Sequence, residues 1–274
     1  MPDLLLCTRR TINKALTTLP LAMPWTAWPQ VPMAAPRLPA PAAARLDALQ
    51  THPGLAGERV YRADVRPLEA PDAPPLFVYA RHVKSSGDDR EASHLTYLPS
   101  GELIIEERVT SSAGHVFRRL DVANRQTGLA GSVVLDADQD RLHFERTDAA
   151  QHKSERVTAP VVAGPNLHGH ILRHRDALAK AERLPVRLVV LARMETLGFD
   201  IHQLASNGHV STFQLTPSHF LLRLVVSPLR VIFDDATGRV MRYEGRVPPM
   251  RDGGQKLVDL DAAVDYHWDA DRYR

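Results

Sequence analysis

The chain has 274 residues and a single cysteine, Cys7. Past that position it has neither a disulfide partner nor a thiol nucleophile, so the rest of the fold suits any redox compartment. Long apolar runs are missing too. No stretch reaches the 18 or more apolar residues that a spanning helix needs. There is no Gly-x-Ser-x-Gly elbow, no Gly-x-x-x-x-Gly-Lys phosphate loop and no Gly-x-Gly-x-x-Gly dinucleotide turn. The common local signatures of serine hydrolases, P-loop enzymes and dinucleotide enzymes are therefore lacking. Glycosidase-type carboxylate pairs leave little local signature and stay open. No fixed-period repeat and no low-complexity segment follows Ala44.

What the chain does have starts at its N-terminus. Thr8-Arg9-Arg10-Thr11-Ile12-Asn13-Lys14 precedes a short apolar run, Ala15 to Ala27, interrupted by Pro20 and Pro24. The run is long enough for a signal core and too short for a bilayer. A Pro/Ala-rich stretch with small-residue cleavage options follows, Pro29 to Ala44. This segment resembles a twin-arginine export signal, with Thr8, Arg9, Arg10 and Lys14 as the motif. It departs from the usual pattern at Ile12 and Asn13, where Phe and Leu are preferred. Leu4-Leu5-Leu6-Cys7 is a poor lipoprotein box, because it precedes the apolar core and Leu6 is bulky. The expected organisation is a signal and arm over residues 1–42 and one β-rich domain over 43–274. The expected address is the periplasm.

The arm also accounts for the basic character. The whole chain carries 34 basic and 32 acidic residues. Residues 1–42 hold Arg9, Arg10, Lys14 and Arg37 against Asp3, which leaves 30 basic and 31 acidic residues. A near-neutral remainder offers no electrostatic footprint for nucleic acid.

Beyond the arm, strand patterns dominate. Val258, Leu260, Ala262, Val264 and Tyr266 alternate with Asp259, Asp261, Ala263, Asp265 and His267, the period-two pattern of a half-buried strand. Val186, Leu188, Val190 and Ala192 form another such series, and Leu103, Ile105, Glu107 and Val109 a looser one. Turn residues separate the strands, as in Pro99-Ser100-Gly101, Ser206-Asn207-Gly208 and Asp235-Ala236-Thr237-Gly238. Phe220 to Val226 reads as the most apolar strand, with Arg223 drawn into an ion pair. One helix stands out over about residues 166–182. Leu167, Ile171, His174 and Leu178 share a face, Asn166 is the expected N-cap, and Pro185 lies past the exit. A short helix is also expected over Ala42–Leu49.

The helix carries the best candidate metal ligands, His168, His170 and His174. His170 and His174 stand four apart on one face. Ile171 occupies the place where a zinc hydrolase carries Glu, and Arg173 and Arg175 oppose a cation. The expectation is no metal, no cofactor and a partly buried, hydrogen-bonded His174. Asp88-Asp89, Asp234-Asp235 and Glu106-Glu107 read as solvated turns or strand edges.

From Gly164 to Tyr266 the order of elements resembles a family of exported β-rich proteins of unassigned function. The carriers are Gly164-Pro165, Ala177-Leu178-Ala179-Lys180, Pro185 to Arg193, Phe199, Pro217-Ser218, Leu222-Arg223, and Tyr243-Glu244-Gly245-Arg246 with Val264-Asp265-Tyr266. These proteins are similar in outline to the lipoprotein-carrier fold. The resemblance implies a mainly β protein, an antiparallel sheet rolled into an incomplete barrel around one principal helix. It implies no catalytic residue, since that shape hosts both carriers and enzymes. The functional expectation is a periplasmic, non-catalytic binding or carrier protein for a lipid or other apolar or amphiphilic small molecule, with ligand residues unassigned. The alternatives are an enzyme on the same scaffold and an envelope structural protein. A wide uncovered apolar lining would favour the carrier, and converging His, Asp or Glu with shifted pKa values the enzyme.

Overall fold

A computed structural model describes residues 59–224 and 226–267. The signal motif Thr8, Arg9, Arg10 and Lys14, the arm and the short helix at Ala42–Leu49 lie outside the described residues. The described chain is mainly β, with 15 strands in one sheet. In chain order they are β1 (Arg59–Pro67), β2 (Phe77–Ser86), β3 (Asp89–Tyr97), β4 (Leu103–Ser112), β5 (Phe117–Asn124), β6 (Leu129–Asp136), β7 (Arg141–Arg146), β8 (Gln151–Arg156), β9 (Val161–Val162), β10 (Leu184–Val190), β11 (Glu195–Ser206), β12 (Val210–Pro217), β13 (Leu229–Asp234), β14 (Val240–Asp252) and β15 (Leu257–His267). Two helical segments follow β9, α1 (Gly164–Arg173) and α2 (Arg175–Ala179), and a single turn, α3 (Phe220–Arg223), sits between β12 and β13.

The topology is a meander that begins in the middle of the sheet. From β1 the chain steps outward to β8 at one edge, crosses to β9 at the other edge, and meanders back until β15 pairs with β1. Every pairing is antiparallel except β9 with β10. Short hairpins carry nearly all the steps, as the regularly spaced turn residues require.

The sheet rolls without closing, and its two edges meet through side chains. Glu155 of β8 accepts from Arg187 Nη2 at 3.1 Å and from the Thr196 backbone N–H at 2.8 Å. Arg187 is held in turn by Thr196, through Nε to Oγ1 and Nη2 to O, both at 2.7 Å. A carboxylate and a guanidinium thus close a seam where strand hydrogen bonds are missing.

The helices fill the roll. Leu167, Ile171 and Leu178 are buried to 3 % exposure or less, within one cluster with Val65, Phe77, Phe199, Phe213, Phe233 and Val264. The alternation along β15 holds: Leu260, Ala262, Val264 and Tyr266 face inward. Its aspartates join ion pairs outside. Asp265 meets Arg66 at 3.4 Å and Arg242 at 2.8 Å, and Asp261 meets Arg246 at 2.8 Å. Such half-exposed pairs contribute little each.

Three sequence expectations need correction. The helix spans 164–179 in two pieces, because the His174 N–H reaches back only three residues, to Ile171 O at 3.1 Å. It ends in a Schellman turn, with Ala181 in the left-handed region and Glu182 N–H bonded to Ala177 O at 3.3 Å. Asn166 is the third helical residue and Ala163 the N-cap. The Asn166 Oδ1 accepts the Ala163 N–H at 2.8 Å, the returning half of a capping box. His174 is half-buried, as expected, and His168 and His170 are more deeply buried, each 5 % exposed.

Phe220 to Val226 is no strand. Phe220, Leu221 and Leu224 are exposed on α3 and the turn after it, and Arg223 Nε donates to Pro217 O at 2.7 Å without an ion pair in that bond. Strands β12 and β13 already pair with each other over Val210–Leu215 and Leu229–Asp234, so the apolar segment between them loops out at the sheet end.

Candidate functional site in the mouth of the roll

The concave side of the sheet is polar where the sequence phase is read strictly. Phe77, Tyr79, Arg81 and Val83 alternate along β2, and β3 sets His94 against Arg81 and Thr96 against Tyr79. In β4 the inward series is Ile105, Glu107 and Val109, with Glu107 opposite His94. Glu106 points outward and pairs with Arg108 at 2.9 Å. The two adjacent glutamates therefore part company, and only Glu106 is the solvated residue expected for both.

Helix α1 lays its polar side over this strip. Arg81 Nη2 donates to Pro165 O at 2.7 Å, bringing a guanidinium to the first turn. A β-carbon on Gly164 would lie 3.9 Å from Glu107 Oε2, so the glutamate carboxyl sits at the helix start. His168 packs edge-on against Tyr266 and Phe233, with ring centroids 5.6 and 6.2 Å away, and 6.2 Å from His94. His94 stacks on Tyr79 at 6.0 Å.

Burial sets the protonation states. Desolvation first, and the Arg81 charge second, hold His94 and His168 well below the ordinary range, so both are neutral. Glu107 is pushed up to about 7 by desolvation. It keeps some accessible surface and is half-buried. Tyr79 and Tyr243 are raised, first by burial and then by neighbouring acids that include Glu107. Burial lifts Tyr266 to about 12. Tyr243 Oη donates to Arg246 O at 2.7 Å.

Toward the open end this polar interior leads into a cleft of about 270 Å³. It lies where the β2–β3, β4–β5 and β13–β14 hairpins turn, since Ser85, Arg90, His115 and Gly238 border it. Its lining has two characters. Val83, Ala92, Leu172, Phe233 and Val240 supply apolar surface, while Arg81, Arg90, Asn166 and His168 supply polar groups; no Asp or Glu is among the lining residues. Gly169 matters here. The His115 ring occupies the space that a Gly169 β-carbon would take, so glycine permits the helix to approach that ring. His115 itself adopts φ 60° in the β4–β5 turn, and Arg90 Nη1 is 3.0 Å from its Nε2.

The three candidate metal ligands are separated. His168 faces the interior, whereas His170 and His174 contact each other with ring centroids 4.6 Å apart. Burial, then His174, Arg173 and His115, lower His170 to about 4. Among the described residues no group of three or more His, Cys, Asp or Glu gathers at metal-binding distance, and no helix among them is long and apolar enough to cross a membrane.

The residues that the sequence reading overlooked are Arg81, Arg90, His94 and Asn166 as cleft or interior groups. The signal was present for one of them. Arg81 falls in the apolar phase of β2, and an ionisable residue in that phase marks a polar interior. No comparable signal marks Arg90, which reaches the cleft through a hairpin, or Asn166, whose place depends on the helix register.

No family model matches the chain, and no curated protein matches it either. Among solved structures, a beta-barrel-like protein of the domain of unknown function DUF1849 from Brucella abortus is similar, with a TM-score of 0.43 and 7 % identity over 77 % of this chain and 94 % of that one.

Proposed function

We propose that the chain is an exported binding protein that holds an amphiphilic small molecule non-covalently in the cleft beside α1. The carrying observation is the mixed lining, in which Val83, Leu172, Phe233 and Val240 border the same cleft as Arg81, Asn166 and His168. An apolar pocket with a few convergent polar groups is the usual form of a small-molecule site. Volume bounds the guest. At about 30 Å³ per water the cleft holds about nine waters, so it takes a small molecule or one end of a larger one. A two-chain lipid does not fit inside. Native mass spectrometry of the exported protein tests this reading. A small amphiphile should co-purify, and Val240→Trp, which fills the cleft from its lining, should release it. An empty wild-type spectrum, together with no binding of any added amphiphile, would overturn it.

Export is the second part of the proposal and rests on Thr8, Arg9, Arg10 and Lys14 ahead of the Pro/Ala arm. The mature domain would begin after about residue 42. Arg9→Lys with Arg10→Lys should retain the precursor in the cytoplasm, because the route's receptor reads the guanidinium pair. Periplasmic accumulation of that double variant would argue against the assignment.

An enzyme on the same scaffold is the second reading. Its specific support is Glu107, with a pKa of about 7, opposite neutral His94 on the strand beside it, with Tyr79 and Tyr266 buried nearby. A carboxyl poised near neutral pH suits general acid–base work. A turnover-dependent change in a co-purified ligand, abolished by Glu107→Gln, would replace the carrier reading.

A further inference from the structure

We propose that the polar part of the cleft lining is an acid-head subsite, built for the carboxylate or phosphate of an anionic amphiphile. The assignment rests on the small-molecule reading above and narrows its chemistry.

The first ground is charge. Arg81 and Arg90 both border the cleft, and no carboxylate does. Arg90 makes no ion pair with a carboxylate among the described residues. Its Nη1 partner is His115 Nε2 at 3.0 Å, and its buried Nε has no hydrogen-bond partner. A guanidinium can only donate, so His115 Nε2 accepts and that imidazole is neutral. Arg90 therefore brings a positive charge to the cleft wall with a neutral partner. A charge held partly out of water without an anion is unfavourable, and binding an anion relieves it. Arg173 adds to the same field from the helix, since its guanidinium donates to Gly114 O in the β4–β5 turn.

The second ground is hydrogen bonding. Asn166 is 2 % exposed and His168 5 %. The Asn166 Oδ1 is committed to the Ala163 N–H at 2.8 Å, which fixes the amide and leaves Nδ2 as the free end. That Nδ2 has no partner, and neither has His168 Nδ1. A buried polar group without a partner is rare in folded proteins and points to a missing acceptor or ligand. Nδ2 is purely a donor, and a neutral imidazole can carry its proton on Nδ1. An oxyanion supplies acceptors to both. Both atoms are covered, so engagement needs a small rotation of each side chain.

The third ground is the apolar part of the lining. Val83, Ala92, Leu172, Phe233 and Val240 put apolar surface directly beside these polar groups, Val83 lying between Arg81 and Ser85 along β2. Free phosphate would be mismatched there, whereas an alkyl group beside the acid head would bury its surface.

Calorimetric titration of the folded protein with four probes decides the matter: octanoate, octyl phosphate, octanol and inorganic phosphate. Octanoate or octyl phosphate should bind at least tenfold more tightly than octanol, and inorganic phosphate should be weaker than the better acid. The stronger of the two acids names the head. Arg90→Gln should weaken the acids by about 10- to 100-fold, the range of one charge-assisted hydrogen bond, and leave octanol unchanged. Arg90→Lys should recover part of that loss, and an unchanged melting midpoint for both variants excludes misfolding. If octanol binds as tightly as octanoate and Arg90→Gln alters neither, the acid-head assignment is wrong while the amphiphile reading stands. Failure of all four probes to bind would overturn both.

Discussion

Ile171→Ala and Leu178→Ala should each lower stability by about 2–5 kcal/mol, the usual range for a large-to-small change in a packed core. Both side chains are fully covered inside the rolled sheet. They anchor α1 and α2 from opposite sides of the break at His174, so neither loss should be relieved by unwinding that turn. Lys153→Ala, on the exposed edge strand β8, should stay within about 0.5 kcal/mol. Arg175→Ala is no neutral control. Its guanidinium meets Asp235 Oδ1 at 2.7 Å and Asp235 O at 3.1 Å, tying α2 to the β13–β14 turn, and should fall between the two limits. Urea melts check the order. Equal losses at Ile171 and Lys153 would mean that the helices do not fill the roll.

The helix stripe was legible because its period is local. Leu167, Ile171 and Leu178 recur at helical spacing whatever they later touch. The same holds for β15, whose alternation separates Leu260 and Val264 from Asp261 and Asp265. These two patterns already imply a sheet face wrapped on a helix, and the observed fold is that arrangement. What periodicity does not carry is which polar residues share the buried face. Glu106 and Glu107 are indistinguishable in composition, yet one meets Arg108 in solvent and the other meets the start of α1. His174 fell on the apolar stripe and is half-buried, because the helix tightens there. His168 and His170 lay off it and are buried, because strands cover α1 on more than one side. Phe220 to Val226 shows the opposite error. Apolar content alone suggested a strand, and the pairing of β12 with β13 leaves no rung for it.

The concave face of the roll is therefore mixed. Phe199, Phe213 and Val231 belong to its apolar cluster, while Arg81, His94 and His168 are buried on it and Glu107 lies opposite His94. A purely structural core gains nothing from the second set. Each buried polar group without a partner is costly, by about 1–3 kcal/mol, and several are present together at the cleft. Natural sequences tolerate such local inconsistency mostly at functional sites. That is the physical reason for placing ligand recognition here and not on the charged outer face, where Arg66, Arg242 and Arg246 are matched by carboxylates.

Acidification should destabilise the protein between about pH 6.5 and pH 4, and the interior histidines should be the cause. His170 is lowered to about 4 by burial and by His174, Arg173 and His115; His115 is lowered to about 4 by burial and by Arg90, Arg81 and Arg173. Unfolded, each titrates near 6.5. The folded state thus binds fewer protons than the unfolded one throughout this window, and the stability present above pH 6.5 is lost as pH falls toward 4. The loss is roughly 3 kcal/mol for His170 and smaller for His115, whose ring is partly solvated and screened. His94 and His168 act in the same direction. Glu107 acts in the opposite one. Raised from 4.5 to about 7, it favours the folded state below pH 4.5 and loses that advantage as pH rises to 7. In the wild type it therefore offsets roughly one histidine. Glu107→Gln keeps the neutral shape and removes the titration. It should be more stable than wild type at pH 7.5 by roughly 2–3 kcal/mol, should match it near pH 4.5, and should show a steeper acid loss. His170→Gln should flatten that loss instead. Urea midpoints taken at half-unit steps between pH 4 and 8 give the slopes directly. A constant difference between wild type and Glu107→Gln at every pH would show that Glu107 titrates as an ordinary solvated acid, and the reading of a desolvated carboxyl in the roll would fail.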